Sequence, residues 1–375
     1  MNIEQLRLDC AARLEGLSPQ AARTSAFVGL DGFVDDILRV VDKRQDAEHC
    51  TTLRTIQELA ARFAAAAGHS TNIEIVRRLL KLGGNGPIMA NALASFGIKV
   101  SYLGCLGYPK LHPVFDEFAR RASVSSIAEP GYTDALEFDD GKIMVGKLFS
   151  LKEVNWTNIV ERYGREKFTA QLSGSDFIGF VNWTMLPCMS DIWAAIQKEI
   201  SPALRGPKRT MFFDLADPEK RTLQDIERAL GLIVGFCDNF NVILGLNEKE
   251  THELGKALGL RPADGSRQAL ADHAMELSRR IPVSTLVVHP VAYALSVSDG
   301  KLSTVEGPFV ARPLITTGAG DHFNAGFCLG KLLGLPDDLA LLTGVSTSGF
   351  YVRTAQSPSV SDLANFMRQW PSQEN

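Results

Sequence analysis

Short apolar runs, each closed by polar or acidic residues, recur along this chain and alternate with stretches of helical period. Ala26-Phe27-Val28-Gly29-Leu30 is the first such run, and Asp31-Gly32-Phe33-Val34-Asp35-Asp36 follows it directly. Phe177 to Asn182, Met211 to Asp214, Val242 to Leu246 and Thr285 to Val288 repeat the pattern. Their length and composition predict buried strands, while Thr222 to Leu230 and Arg267 to Arg280 between them predict helices. Alternation on this scale from Asp176 onward predicts an α/β fold with a mostly parallel sheet wrapped by helices.

Other stretches add detail. Residues 1–24 read as a short amphipathic helix and a loop, and Leu53 to Ala67 as an alanine-rich helix stopped by Gly68. Ile73 to Leu82 fits strand or helix. Ala135 to Leu148 alternates about an Asp-Gly turn and predicts a β-hairpin. His322 to Leu333 predicts a helix with Phe323 and Phe327 on its apolar face. Gly326 and Gly330 on that face would let it lie close against a sheet. Ala340 to Phe350 is a further small-residue helix. No internal repeat or interdomain linker interrupts the pattern.

Composition narrows the function classes. With 375 residues the chain can bury a full core. A net charge of −4 argues against a nucleic-acid partner. The six cysteines are scattered, with no Cys-x-x-Cys pair, as expected of reduced thiols in a cytoplasmic protein rather than a disulfide frame or zinc site. The first residues mix charges among apolar positions and do not read as a signal peptide, and no apolar run is long enough to span a bilayer.

The candidate chemistry sits where glycines precede helices and where strands end. Thr316-Thr317-Gly318-Ala319-Gly320-Asp321 opens the His322 helix. Glycines there leave backbone N–H groups bare at the positive end of a helix dipole, which suits a phosphate or a developing oxyanion. Asp321 at that mouth could take a proton from a substrate hydroxyl; the same four residues also suit a plain tight turn with an N-cap. The stretch is neither a Walker A loop nor a dinucleotide fingerprint. Asp31 and Asp35, just past the first strand, are costly to bury unless they bind something, and strand ends are where open parallel sheets hold ligands. Gly83-Gly84-Asn85 ahead of another helix allows close backbone approach and offers an amide to hydroxyls. Asn247-Glu248-Lys249-Glu250 reads as a capping box on its own.

Together these motifs resemble the ribokinase-like, or PfkB, carbohydrate kinases, over roughly Ala26 to Arg353. The 316–321 stretch is similar to the family's Thr-x-Gly-Ala-Gly-Asp signature, with Ile315 where the family carries an Asp. Asp35-Asp36-Ile37-Leu38 is similar to the Asp-x-Ile-Leu of the sugar site, and Gly83-Gly84 to the double-glycine signature, although the family Asn falls on Ile88. The resemblance implies a single ribokinase-like domain over 1–375, with β-lid inserts at about 36–50 and 131–150 that often form a homodimer contact. It implies an ATP-dependent phosphotransferase acting on a hydroxyl of a small sugar or polyol. Asp321 would be the general base, Gly318, Ala319 and Gly320 the anion hole, and Asp35, Asp31, Gly84 and Asn85 the substrate contacts. Asn247 and Glu250 would order Mg2+, largely through water, and Thr316, Gly318 and Gly320 would join them around the nucleotide. A monovalent-cation site lies near the Ala340 helix in many members. The family's Thr-x-Gly-x-x-Gly is absent at His289-Pro290-Val291-Ala292-Tyr293-Ala294, which leaves the nucleotide contacts open and His289 a structural residue. A nucleoside or sugar phosphate as acceptor, or a catalytically silent binder, are the alternatives.

Overall fold

The computed structural model describes residues 3–260 and 265–371. Fourteen strands, β1 (Ser25–Leu30), β2 (Phe33–Arg44), β3 (Cys50–Thr52), β4 (Ile75–Gly83), β5 (Lys99–Gly104), β6 (Ser123–Ser126), β7 (Gly131–Phe138), β8 (Gly141–Lys147), β9 (Phe177–Phe180), β10 (Arg209–Asp214), β11 (Phe240–Leu246), β12 (Thr285–Val288), β13 (Tyr293–Ser298) and β14 (Lys301–Glu306), form two sheets. The large sheet runs β14-β13-β12-β11-β10-β9-β1-β5-β6 and is parallel from β12 to β6, with β13 and β14 antiparallel at one edge.

Successive side chains of the central strands feed opposite cores. Phe27, Ile178, Met211, Phe213 and Leu244 enter one, and Val28, Phe177, Phe212 and Ile243 the other. A strand covered on both faces has no place for alternating polar residues, which is why these runs read as continuously apolar. The helices covering the second face include Ile3–Ala21, longer than the short N-terminal helix expected, and the pair Ala319–Leu332 and Asp337–Thr354.

That helix pair corrects one expectation. Gly326 and Gly330 pack against the Asp337–Thr354 helix rather than a sheet. A Cβ on Gly326 would come within 2.2 Å of Thr347 Oγ1, and one on Gly330 within 2.6 Å of the Ala340 Cα. The small residues of 340–350 therefore serve the same close contact from the other side.

The second sheet stands over the carboxyl edge of the first. It runs β3-β2-β7-β8, with β4 also pairing β2 antiparallel. The ambiguous 73–82 stretch is thus the strand β4, an element outside the 36–50 and 131–150 limits. Its outward residues leave it without a one-sided apolar pattern, and Leu79 is 54% exposed. The hairpin β7–β8 turns at Asp139-Asp140 as the alternation predicted.

Candidate active site

Five neighbouring parallel strands, β1, β9, β10, β11 and β12, end on one side of the large sheet. The residue that closes or shortly follows each is polar: Asp31, Asn182, Asp214, Asn247 and His289. Carboxyl ends of parallel strands are where an open α/β sheet leaves a crevice. Here the crevice is a cavity of about 630 Å3, roofed by Thr133, Met144 and Gly146 of the small sheet. It brings together Asp35, Gly84, Asn85, Asn247, Glu250, Gly318, Gly320 and Asp321, which are far apart in sequence.

Asp321 lies in the first turn of the Ala319–Leu332 helix and is buried, 7% exposed. Asn85 Nδ2 donates to its Oδ1 at 2.9 Å. Burial pushes its carboxyl up to about 8; the Asn85 bond and Lys81 pull it down, whereas Asp31 and Glu250 add to the rise. A carboxylate so poised gains a proton readily and gives it up near physiological pH. Gly318, at φ 95, supplies the left-handed turn before the helix, and Ile88 and the Tyr351 hydroxyl stand 3.2 Å from where its Cβ would be.

The glycine loop offers the cavity fewer amides than the sequence suggested. The Ala319 N–H donates to the Thr316 carbonyl at 3.1 Å, so that amide is spent, and Ala319 does not line the cavity. Thr316 itself is exposed outside it, whereas Thr317 lines the wall. Gly318 and Gly320 remain as the cradle. His322 holds the loop from behind: its Nδ1 meets the Gly318 carbonyl at 2.7 Å, its Nε2 the Ser357 hydroxyl at 2.9 Å, and its ring stacks on Tyr351. Burial pushes the His322 imidazole down to about 4, so the ring is neutral, with one nitrogen donating and one accepting.

On the small sheet, Asp35 of β2 faces the cavity, 5% exposed, across from Thr133 on β7 and Lys81 on β4 in register. Burial raises its pKa, and Lys81, a Thr133 hydrogen bond and Lys142 oppose the rise. A Cβ on Gly83 would strike the Asp35 carboxylate at 2.3 Å, which is why β4 ends in glycine there. Asp31, by contrast, is a strut and does not line the cavity. It is fully buried; its Oδ1 accepts from the Gly86 N–H at 2.9 Å and the Tyr102 hydroxyl at 3.2 Å, and its Oδ2 from Asn182 Nδ2 at 2.7 Å. By fastening the start of the Asn85–Ser95 helix it sets the position of Asn85. Asn91, later on the same helix, donates from Nδ2 to the Ser357 hydroxyl at 3.3 Å. Lys147 is exposed and paired with Asp134 at 2.8 Å.

Asn247 and Glu250 do form a capping box at the start of the Glu248–Ala257 helix. The Glu250 carboxylate also accepts from the Asp217 N–H at 3.0 Å. Asp214, left without a role by the sequence, is buried beside it, held by the Ala216 N–H at 2.9 Å and Asn324 Nδ2 at 2.8 Å. Burial first, then Glu250 and Asp321, raise its pKa well above the usual range. Carboxylates that push up one another's pKa are arranged for a cation or for protons. Among the described residues no cluster of three or more His, Cys, Asp or Glu has direct metal-ligand geometry. Sequence reasoning also missed Lys142 of β8, whose Nζ donates to Thr317 Oγ1 at 2.7 Å and ties the roof to the glycine loop. Its only signal was its place on the hairpin.

Strain marks the same walls. Five non-glycine residues among those described have positive φ, and three of them, Asn182, Ala216 and Asp217, line this cavity. Such conformations persist where the surroundings over-determine them, commonly at functional sites.

Comparisons with known proteins agree with this geometry. A family model described as prokaryotic ketohexokinase matches residues 8–370. The ketohexokinase of Haloferax volcanii is 30% identical over 356 residues, covering 94% of this chain and 93% of that protein. Among solved structures, Arabidopsis thaliana ribokinase complexed with ribose and ATP matches with a TM-score of 0.64 at 12% identity, over 92% of this chain and 98% of that one. Phosphofructokinase-2 of Escherichia coli matches with a TM-score of 0.62 at 13% identity, over 92% and 99%. These likenesses show the ribokinase fold, and the family match together with the curated relative places the chain: it belongs to the prokaryotic ketohexokinase family, and it is an ATP-dependent carbohydrate kinase.

Proposed function

We propose that the chain transfers the terminal phosphoryl group of ATP to a hydroxyl of a ketohexose, with Asp321 as general base. The observation that carries this reading is the shared cavity, whose wall holds Asp321 with Gly318 and Gly320 of the same helix start, and Asp35 as well. The acceptor class comes from the family and the Haloferax relative.

In this scheme Asp35 and Asn85 hold hydroxyls of the sugar, and the acceptor hydroxyl lies against Asp321. Asp321 takes its proton as the oxygen attacks, while the Gly318 and Gly320 amides meet the charge on the transferred group. Asn247, Glu250 and the adjoining Asp214 would hold Mg2+ through water. When bound, Mg2+ neutralises charge on the nucleotide phosphates. The roof of β2, β7 and β8 excludes water, which otherwise competes as acceptor. The long, exposed β4 edge of the same sheet, with Leu79 and Ile75 outward, suits a homodimer contact through the lid.

A second reading has an observation of its own. Lys81 and Lys142 both face Asp35, and burial holds the Lys81 ammonium below its usual range. A phosphorylated ketohexose would satisfy both lysines. ADP release measured over ketohexoses, aldoses, nucleosides and their phosphates tests the proposal. Turnover is expected with a free ketohexose and a phosphomonoester product; turnover confined to aldoses or nucleosides would refute the acceptor assignment.

A further inference from the structure

Two aromatic rings behind the glycine loop have no part in the scheme so far. Tyr351 lies in the last turn of the Asp337–Thr354 helix and His322 in the first turn of the Ala319–Leu332 helix, and neither lines the cavity. The rings stack face to face, with centroids 3.6 Å apart and planes within 13° of parallel. Tyr351 is 7% exposed. Burial first, then the Asp321 and Asp35 carboxylates, push its hydroxyl up to about 12, so it keeps its proton through neutral pH and stays a donor.

What the pair grips is the backbone on either side of Gly318. The Tyr351 hydroxyl donates to the Thr317 carbonyl at 2.9 Å. The Gly318 carbonyl accepts from the His322 backbone N–H at 3.0 Å and from its Nδ1 at 2.7 Å. A carbonyl only accepts, so Nδ1 carries the ring proton and Nε2 accepts from the Ser357 hydroxyl. The peptide unit joining Thr317 to Gly318 is planar and trans, which sets its N–H opposite to its C=O. With that carbonyl drawn to Tyr351, the Gly318 N–H faces the other way, toward the cavity that Gly318 lines and Tyr351 does not. This N–H has no acceptor among the described residues, whereas the next amide, on Ala319, is spent on Thr316. Glycine is also the residue with the most backbone freedom, so the amide would drift without a grip on both sides.

We infer that Tyr351, braced by His322, is a positioning residue for phosphoryl transfer: the two rings hold the carbonyls flanking Gly318 and so aim its N–H at the transferred group. The inference rests on the phosphotransfer reading above and deepens it, naming what orients the anion hole rather than what forms it. A donor speeds the reaction only if it already points where charge develops, so losing the grip lowers kcat and spares ground-state binding.

The test starts from Tyr351→Phe, which removes one hydroxyl and keeps the stacked ring. Its kcat is expected to fall about 10-fold, less than for loss of the donor itself, with KM for sugar and nucleotide within about twofold of wild type. Calorimetric titration with ADP counts the folded sites, so a lower kcat at full stoichiometry is not lost protein. The same change is then made in Gly318→Ala, where the added Cβ has already displaced the loop. There it is expected to cost less than about twofold more. An unchanged kcat in Tyr351→Phe, or the same factor in both backgrounds, overturns the inference. Should Gly318→Ala fail to fold, His322→Asn, which keeps a donor near the Gly318 carbonyl, is compared with His322→Leu, which has none. The asparagine variant is expected to turn over about 10-fold faster, and equal values overturn the inference. None of these comparisons depends on which acceptor is used. Wild type that releases no ADP with any acceptor would overturn the kinase reading and this inference with it, whereas an active wild type matched by Tyr351→Phe overturns the inference alone.

Discussion

Replacing Asp321 by asparagine separates the two things the cavity does to that side chain. The substitution keeps the shape and still accepts from Asn85, whose Nδ2 lies 2.9 Å from Oδ1, so the fold is expected to survive. Activity is expected to fall by roughly 10²-fold or more, the scale of a lost general base. Stability moves the other way. Burial, with Asp31 and Glu250 adding to it, takes the carboxyl from its ordinary 3.8 to about 8. A difference of that size corresponds to about 6 kcal/mol, and an open, wet cavity returns part of it. We expect about 1–3 kcal/mol in practice. The sign follows from the raised folded value: the aspartate's stability is fully present below pH 4 and lost as pH rises through 8. Wild type and Asp321→Asn should therefore unfold alike near pH 4, diverge between pH 4 and pH 8 in favour of the variant, and run parallel above. The same titration governs catalysis, so wild-type kcat/KM should fall about tenfold per pH unit below 8. Denaturant melts and a pH–rate profile read both effects. A stability difference independent of pH, or wild-type turnover in the variant, would refute the reasoning.

Three further outcomes follow from the wall residues. Asp35→Asn should raise KM for the sugar about 10-fold or more and leave nucleotide binding within about twofold, as calorimetry with an ATP analogue would show. Gly318→Ala forces a Cβ at φ 95 to within 3.2 Å of Ile88 and Tyr351; it should lower kcat by about 10²-fold while costing roughly 1–2 kcal/mol of stability, and an unchanged kcat would remove the anion hole from that loop. Lys142→Met cuts the 2.7 Å bond between the roof and Thr317, and ADP release without sugar should rise severalfold relative to phosphorylated product. Equal coupling in the variant would show that the contact does not help close the site.

The large sheet was legible because its strands obey a local rule. A run such as Phe177–Phe180 is apolar on every residue since both faces are covered, and that fact is written in the run itself. The glycine loop and Asp321 were equally plain, because backbone geometry at a helix start demands particular residues in order. The small sheet was harder. β4 is mostly exposed, so neither a strand nor a helix period stands out in Ile73 to Leu82. Asp35 was the first choice for the sugar and Asp31 the second, and only the fold shows Asp31 clamped by Gly86, Tyr102 and Asn182 while Asp35 faces the cavity. Asn182 went unnoticed and Asp214 without a role for a related reason: their meaning lies in which strands sit side by side, and strand order is not a local property. Thr317 rather than Thr316 could not be foreseen, because a one-residue difference at a turn reverses which way each faces.

The tight seam between the Ala319–Leu332 and Asp337–Thr354 helices makes the Asp321 carboxylate sensitive to remote changes. Gly330 lies nine residues beyond Asp321, roughly 14 Å along the helix axis, and meets the Ala340 Cα with no room for one more methyl group. A rigid rod pushed aside at its far end swings its near end too. Inactivating replacements are therefore to be sought along this hidden track of glycines as well as around the crevice, and they would leave every residue that handles the sugar intact.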